Sequence, residues 1–110
     1  MICAGGTNFP DKPMLEGGAK TWTDRIFTLS PGENGWTEAG TLPAPYAYGA
    51  SASTREGLLC IGGCGKEGHR KDVYLLSTAD GAVTVTPFPP LPIALAYTAA
   101  AVLDGKVYLT

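Results

Sequence analysis

Two stretches of the chain match each other 49 residues apart. Leu42-Pro43-Ala44-Pro45-Tyr46-Ala47-Tyr48-Gly49-Ala50 aligns without a gap on Leu91-Pro92-Ile93-Ala94-Leu95-Ala96-Tyr97-Thr98-Ala99, with five of nine positions identical. The same step carries Leu58-Leu59-Cys60-Ile61 onto Val107-Tyr108-Leu109-Thr110, and a step of 48 carries Asp24-Arg25-Ile26-Phe27 onto Asp72-Val73-Tyr74-Leu75. Self-similarity at a period of roughly 40 to 50 residues, built from short apolar runs, is the mark of stacked β-propeller blades. The expected fold is all-β: part of a propeller, about two blades of antiparallel four-stranded sheets.

Three short apolar runs of β type read as buried strands: Met1-Ile2-Cys3-Ala4, Leu58-Leu59-Cys60-Ile61 and Val107-Tyr108-Leu109-Thr110. Arg55-Glu56-Gly57 and Asp104-Gly105-Lys106 have the composition of hairpin turns. The small-residue stretches Ala47 to Thr54 and Tyr97 to Leu103 suit an innermost strand, where sheets converge near the axis. Third strands are expected at Asp24 to Ser30 and Asp72 to Ser77, and fourth strands at Gly35 to Ala39 and Ala82 to Pro87, with Trp36 in the core. The chain then divides into residues 1–41 (strands two to four of one blade), 42–90 (a complete blade) and 91–110 (the first two strands of another). Two blades alone leave apolar flanks and long strand edges open, so the expectation is a fragment completed by further blades, with a ring completed by other chains as the alternative.

Composition narrows the function. An apolar share of 45% against 16% charged residues describes a globular chain, and 15 Gly with 9 Pro punctuate its apolar runs as turns. Net charge is −2 and the eight Lys and Arg are scattered, which argues against nucleic acid as a partner. No apolar run reaches membrane-spanning length. Cys3 and Cys60 each precede a Gly-Gly pair by the same step and read as buried core thiols, while Cys64 falls in a loop. One His and dispersed Cys residues give no metal-ligand spacing, so no metal and no cofactor are expected.

In an antiparallel blade, the loops joining strand two to three and strand four to the next blade emerge on one face. Thr7 to Thr23, Cys64 to Lys71 and the Pro-rich segments Gly40 to Ala47 and Pro87 to Ala96 belong there. Long loops on a rigid scaffold are where function concentrates. The longest holds Asn8, Glu16, Lys20 and Trp22, and the second holds His69 and Arg70.

The order of Gly-Gly, an aromatic in strand three and Trp in strand four resembles kelch repeats, although Val85 stands where a second Trp would align. Gly5-Gly6-Thr7-Asn8-Phe9-Pro10, Glu16-Gly17-Gly18 and Lys20-Thr21-Trp22 are similar to the GG-x-NFP, EG and K-x-W signature of the N-acetylneuraminate epimerase (sialic acid mutarotase) family of kelch propellers, which includes a cyclically permuted branch. The resemblance implies a six-bladed bacterial isomerase that interconverts the α and β anomers of sialic acid, in the periplasm or the cytoplasm. It also implies that this stretch alone is inactive without the remaining blades.

Opening a pyranose hemiketal needs a base for the anomeric hydroxyl proton and an acid for the ring oxygen, and neither metal nor cofactor. Glu16, which matches the family's EG motif, is the expected proton acceptor. Arg70, with His69 beside it, is the expected clamp for a sialate carboxylate, since Arg binds carboxylates bidentately. Asn8 and Lys20 are further expected contacts to the sugar. Each has a bland alternative: Asn8 as a turn cap, Glu16, His69 and Arg70 as solvated loop residues, and Trp22 as packing beneath its loop. Tyr48 and Tyr97 share one repeat position and read as structural. The competing function is a kelch module that binds protein or glycan without catalysis. A copper oxidase on this scaffold lacks the necessary N and O ligands.

Overall fold

The computed structural model describes residues 1–110. In chain order its strands are β1 (Ile2–Ala4), β2 (Thr7–Asn8), β3 (Thr21–Trp22), β4 (Arg25–Thr28), β5 (Thr37–Thr41), β6 (Ala50–Ser53), β7 (Leu58–Ile61), β8 (Cys64–Gly65), β9 (Gly68–His69), β10 (Val73–Ala79), β11 (Ala82–Phe88), β12 (Ala100–Leu103) and β13 (Lys106–Leu109). One 3-10 turn, Met14–Glu16, lies between β2 and β3.

Three antiparallel sheets form the body: β1-β4-β5, then β6-β7-β10-β11, then β12-β13. The inner strands β6 and β12 approach one another, as do the outer strands β5 and β11, so the sheets fan like propeller blades. The result is a flat wedge measuring 46 × 38 × 21 Å.

The central strands of the middle sheet, β7 and β10, are covered on both faces, which explains their unbroken apolar runs Leu58–Ile61 and Val73–Leu76. Leu58, Cys60, Tyr74, Leu76, Val83 and Val85 turn towards the first sheet, where Ile2, Ala4, Ile26, Leu42 and Tyr46 meet them. The alternate residues Leu59, Ile61, Val73 and Leu75 turn the other way, against Leu91, Ala100 and Leu109. Successive strand residues point to opposite faces, so a single strand feeds both seams. Ile26 and Leu76, both 0% exposed, anchor the first seam.

Each Gly-Gly pair sutures its sheet to the next. The Gly6 N–H donates to the Tyr46 carbonyl at 2.9 Å, and in the next repeat the Gly63 N–H donates to the Leu95 carbonyl at 2.8 Å. The preceding glycines, Gly5 (φ +68°) and Gly62 (φ +62°), lie so close to those same carbonyls that a Cβ would stand 2.4 Å and 2.5 Å away. Only glycine tolerates both the left-handed backbone and that approach.

Several details differ from expectation. The outer strand of the first sheet is Thr37–Thr41, displaced towards the C-terminus, so Trp36 precedes the strand and is 48% exposed rather than in the core. Cys3 is exposed while Cys60 is buried. Their equivalence is real, because both point towards the preceding blade. Cys60 finds the first sheet there, whereas no sheet of this chain covers that side of β1. The inner strands are shorter than their small-residue stretches, Ala50–Ser53 and Ala100–Leu103, because the residues before them turn through left-handed conformations at Tyr48 and Tyr97. Both long loops are built on two-stranded hairpins, β2-β3 and β8-β9, whose two-residue strands are too short to show periodicity. No helix is long and apolar enough to cross a membrane.

Candidate functional site

The two hairpins make the walls of one cleft. In the first, Thr7 pairs with Trp22 and Asn8 with Thr21, and the Thr7 hydroxyl donates to the Thr21 carbonyl at 2.7 Å. This register places Lys20 and Trp22 on the cleft. In the second, Cys64 pairs with His69 and Gly65 with Gly68 around the turn Lys66-Glu67. A bridge between Ala47 and Cys64 ties that hairpin to the Pro-rich approach of β6. The space enclosed measures about 890 Å³, with Lys20, Trp22, Pro45, Glu67, His69 and Arg70 among its lining.

The cleft opposes the charge of the chain as a whole. Lys20, Lys66, Arg70 and Lys71 face only two carboxylates there, Glu67 and Asp72, in a chain of net charge −2. Arg70 is the best held of the cations. Its Nε donates to Asp72 Oδ2 at 2.7 Å, and its guanidinium lies 5.8 Å from the centre of the Tyr46 ring. Asp72 thus orients the guanidinium through Nε, and the remaining N–H donors of the fork lie between the neighbouring Tyr74 hydroxyl and the cleft. Beneath this pair the Tyr74 hydroxyl is pushed up by burial and by Asp72, with Arg70 opposing. Burial, then neighbouring Cys60 and Tyr74, also pushes Tyr46 well above the ordinary tyrosine value. Both phenols therefore stay neutral beneath the guanidinium.

Of the residues expected to work together, Lys20, His69 and Arg70 meet on this cleft. The Lys20 ammonium donates to the Tyr48 hydroxyl at 2.9 Å, and that hydrogen bond raises its pKa against a smaller opposing effect of desolvation. Asn8 stands just outside, its Oδ1 accepting from the Thr21 hydroxyl at 2.5 Å, so it braces the hairpin that presents Lys20. Glu16 stands apart. It closes the 3-10 turn, is exposed, and is absent from the cleft lining.

The Glu16-Gly17-Gly18 triplet has a backbone reason of its own. Gly17 caps the turn at φ 80°, and a Cβ on Gly18 would collide with the Lys12 carbonyl at 1.8 Å. Trp22 is half-buried and lies edge-on to Tyr48, so it both packs and lines. Sequence reasoning overlooked Asp72 and Glu67. Asp72 had a signal in its repeat partner Asp24, but Glu67 had none beyond its place in the loop. No group of three or more His, Cys, Asp or Glu side chains gathers in a way that could hold a metal ion.

No protein-family model matches the chain. An N-acetylneuraminate epimerase of Brucella suis is 34% identical over 95 residues, covering 77% of this chain and 24% of its own. One from Vibrio cholerae is 34% identical over 96 residues, again covering 77% and 24%. The solved structure of YjhT, a β-propeller, superposes with a TM-score of 0.67 at 30% identity, over 77% of this chain and 27% of that one. The chain thus spans about a quarter of the length of the curated relatives it matches. By its sequence and by its fanned sheets, this propeller segment belongs to the N-acetylneuraminate epimerase family.

Proposed function

We propose that this segment is part of a sialic acid mutarotase, a kelch-type isomerase that interconverts the α and β anomers of N-acetylneuraminate in the periplasm or cytoplasm of a bacterium. The observation that carries the reading is Arg70, pinned through Nε by Asp72 on the wall of a cationic cleft. A carboxylate beside an anomeric carbon fits that fork. A planar bidentate contact fixes the orientation of the sugar as well as its affinity.

The reaction is acid/base chemistry. A base removes the anomeric hydroxyl proton, the C–O bond to the ring oxygen breaks, and an acid protonates that oxygen to give the open-chain ketone. Rotation about the carbonyl carbon and reclosure from the other face, with the proton transfers reversed, deliver the other anomer. Two carboxylates are candidates for the base. Glu16 is assigned by the family signature, and Glu67 lies on the cleft wall itself. Remaining groups belong to the other blades of the ring.

The test uses the complete gene product and NMR exchange between the anomers of N-acetylneuraminate. Addition of protein is expected to accelerate exchange, Arg70→Lys to raise the concentration of half-maximal rate, and one of Glu16→Gln or Glu67→Gln to abolish the acceleration. An exchange rate unchanged by intact protein refutes the mutarotase reading. The exposed position of Glu16 favours one second reading, a glycan-binding module without catalysis. That reading predicts saturable binding of the sugar with no acceleration in the same experiment.

A further inference from the structure

Tyr48 and Tyr97 occupy the same position in successive repeats, and both hold a left-handed backbone, with φ of 62° and 59°. Glycine meets that backbone demand without strain, whereas a bulky side chain there is an outlier that its surroundings must stabilise. Tyrosine in both copies indicates that the ring itself is in use.

The rings stack with centroids 4.8 Å apart and planes at 29°. The Tyr97 N–H donates to the Tyr48 carbonyl at 2.8 Å, so backbone and ring are held together. Trp22 meets Tyr48 edge-on at 5.9 Å, and His69 meets Tyr97 edge-on at 6.1 Å. The aromatic row therefore begins and ends on residues of the cleft, with the two tyrosine rings between them standing outside its lining. Lys20 closes it from the side, 5.1 Å from the centre of Trp22 and 5.0 Å from that of Tyr48. Tyr97 is 68% exposed, since it leads into the two-stranded last sheet, against which this chain packs no further sheet.

We infer that the Tyr48–Tyr97 stack with Lys20 is a pyranose subsite. The apolar C–H face of a sugar ring lies on Tyr97, while the Lys20 ammonium donates hydrogen bonds to the ring's polar edge. Lys20 has three N–H donors and gives one to Tyr48, and the Tyr48 hydroxyl, accepting from Lys20, keeps its own proton to donate. A flat apolar body with a few placed polar groups is the usual make-up of a small-molecule site. The inference rests on the reading of the cleft as a sugar-acid site. It adds the element that recognises the ring, where Arg70 recognises the carboxylate.

The experiment measures binding to the complete gene product by saturation-transfer NMR. The ligands are N-acetylneuraminate, the acyclic sugar acid gluconate, and a neutral N-acetylhexosamine. Tyr97→Gly removes the ring and relieves the backbone, so this variant is expected to fold. Tyr97→Phe keeps the ring. For Tyr97→Gly, N-acetylneuraminate affinity is expected to fall about tenfold, the equivalent of one lost aromatic contact. Gluconate, held through Arg70, is expected to bind unchanged, and Tyr97→Phe to stay close to wild type.

Unchanged N-acetylneuraminate affinity in Tyr97→Gly overturns the subsite. So does an equal loss for both acids, which marks a packing role. If wild type binds neither acid, the sugar-acid reading falls by itself, and the neutral pyranose decides the subsite. Transfer to its ring protons that disappears in Tyr97→Gly upholds it, and no transfer removes it.

Discussion

The carbonyl oxygen of Leu95 sits 2.5 Å from where a Cβ on Gly62 would be, and it accepts a hydrogen bond at 2.8 Å from the neighbouring Gly63 N–H. One backbone oxygen thus joins the middle sheet to the segment that opens the next one. Gly62→Ala is expected to destabilise the protein by more than about 1 kcal/mol, because it meets both the left-handed φ and the carbonyl. Gly35→Ala, where a Cβ meets nothing and φ is not positive, is expected to change stability by less than about 1 kcal/mol. Urea unfolding of the two variants measures the difference, and equal effects would remove the suture from the account.

Leu76 is fully buried where the middle sheet meets the first, among Ile26, Leu42 and Tyr46. Leu76→Ala is expected to lower stability by about 2–5 kcal/mol, the range for a large aliphatic cut from a packed core. Thermal unfolding followed by circular dichroism checks this.

Cys60 links packing to pH. Burial pushes its thiol up to about 11 from an ordinary value of 9.0, with the neighbouring Tyr46 opposing. The folded-state value is raised, so the neutral thiol's contribution is full below pH 9. It is lost as the pH climbs from 9 through 11, because the unfolded chain ionises first. The loss is on the order of 2 kcal/mol for this group. Tyr46 and Tyr74, both raised, act in the same alkaline direction. The slope of stability against pH between 9 and 11 is expected to flatten in Cys60→Ala.

The thiols also sort by access. At pH 8 a disulfide reagent is expected to modify Cys3 in the 110-residue chain by itself, where no sheet covers it, and to reach buried Cys60 only on unfolding. Mass spectrometry of the labelled peptides gives the order.

Asp72 is expected to act on the ligand through Arg70, since it holds Nε at 2.7 Å and so sets how the guanidinium stands on the cleft wall. Asp72→Asn preserves shape but weakens that grip. It is expected to raise KM for the sugar acid several-fold with a smaller change in kcat, in line with the loss of a charge-assisted contact. Added salt is expected to weaken binding in both proteins, as an open cationic cleft requires. A fall in kcat at constant KM would assign Asp72 to the chemistry instead.

The period of 49 residues, the apolar runs and the Gly-Gly pairs were enough to place the sheets and the face that bears the long loops. These are properties of local order: alternation along a strand, a turn that glycine allows, a unit that must stack on its copy. Leu58 to Ile61 could be read as doubly buried because no polar residue interrupts them. The grouping of Lys20, His69 and Arg70 followed from topology once the loops were assigned to one face.

Other features arose from residues distant in the chain. Cys3 and Cys60 have the same local pattern, yet one is exposed and the other buried, because a sheet lies against only one of them. Tyr48 and Tyr97 look like repeated packing until the blades bring their rings into contact across 49 positions of sequence. Glu16 carries the family's motif, but the wound turn from Pro13 to Gly18 sets it away from the cleft. Periodicity specifies which residues share a face. What stands opposite that face depends on how separate strands pack, and it was that packing which gathered the cations on one cleft and set the aromatic row against its Trp22 and His69.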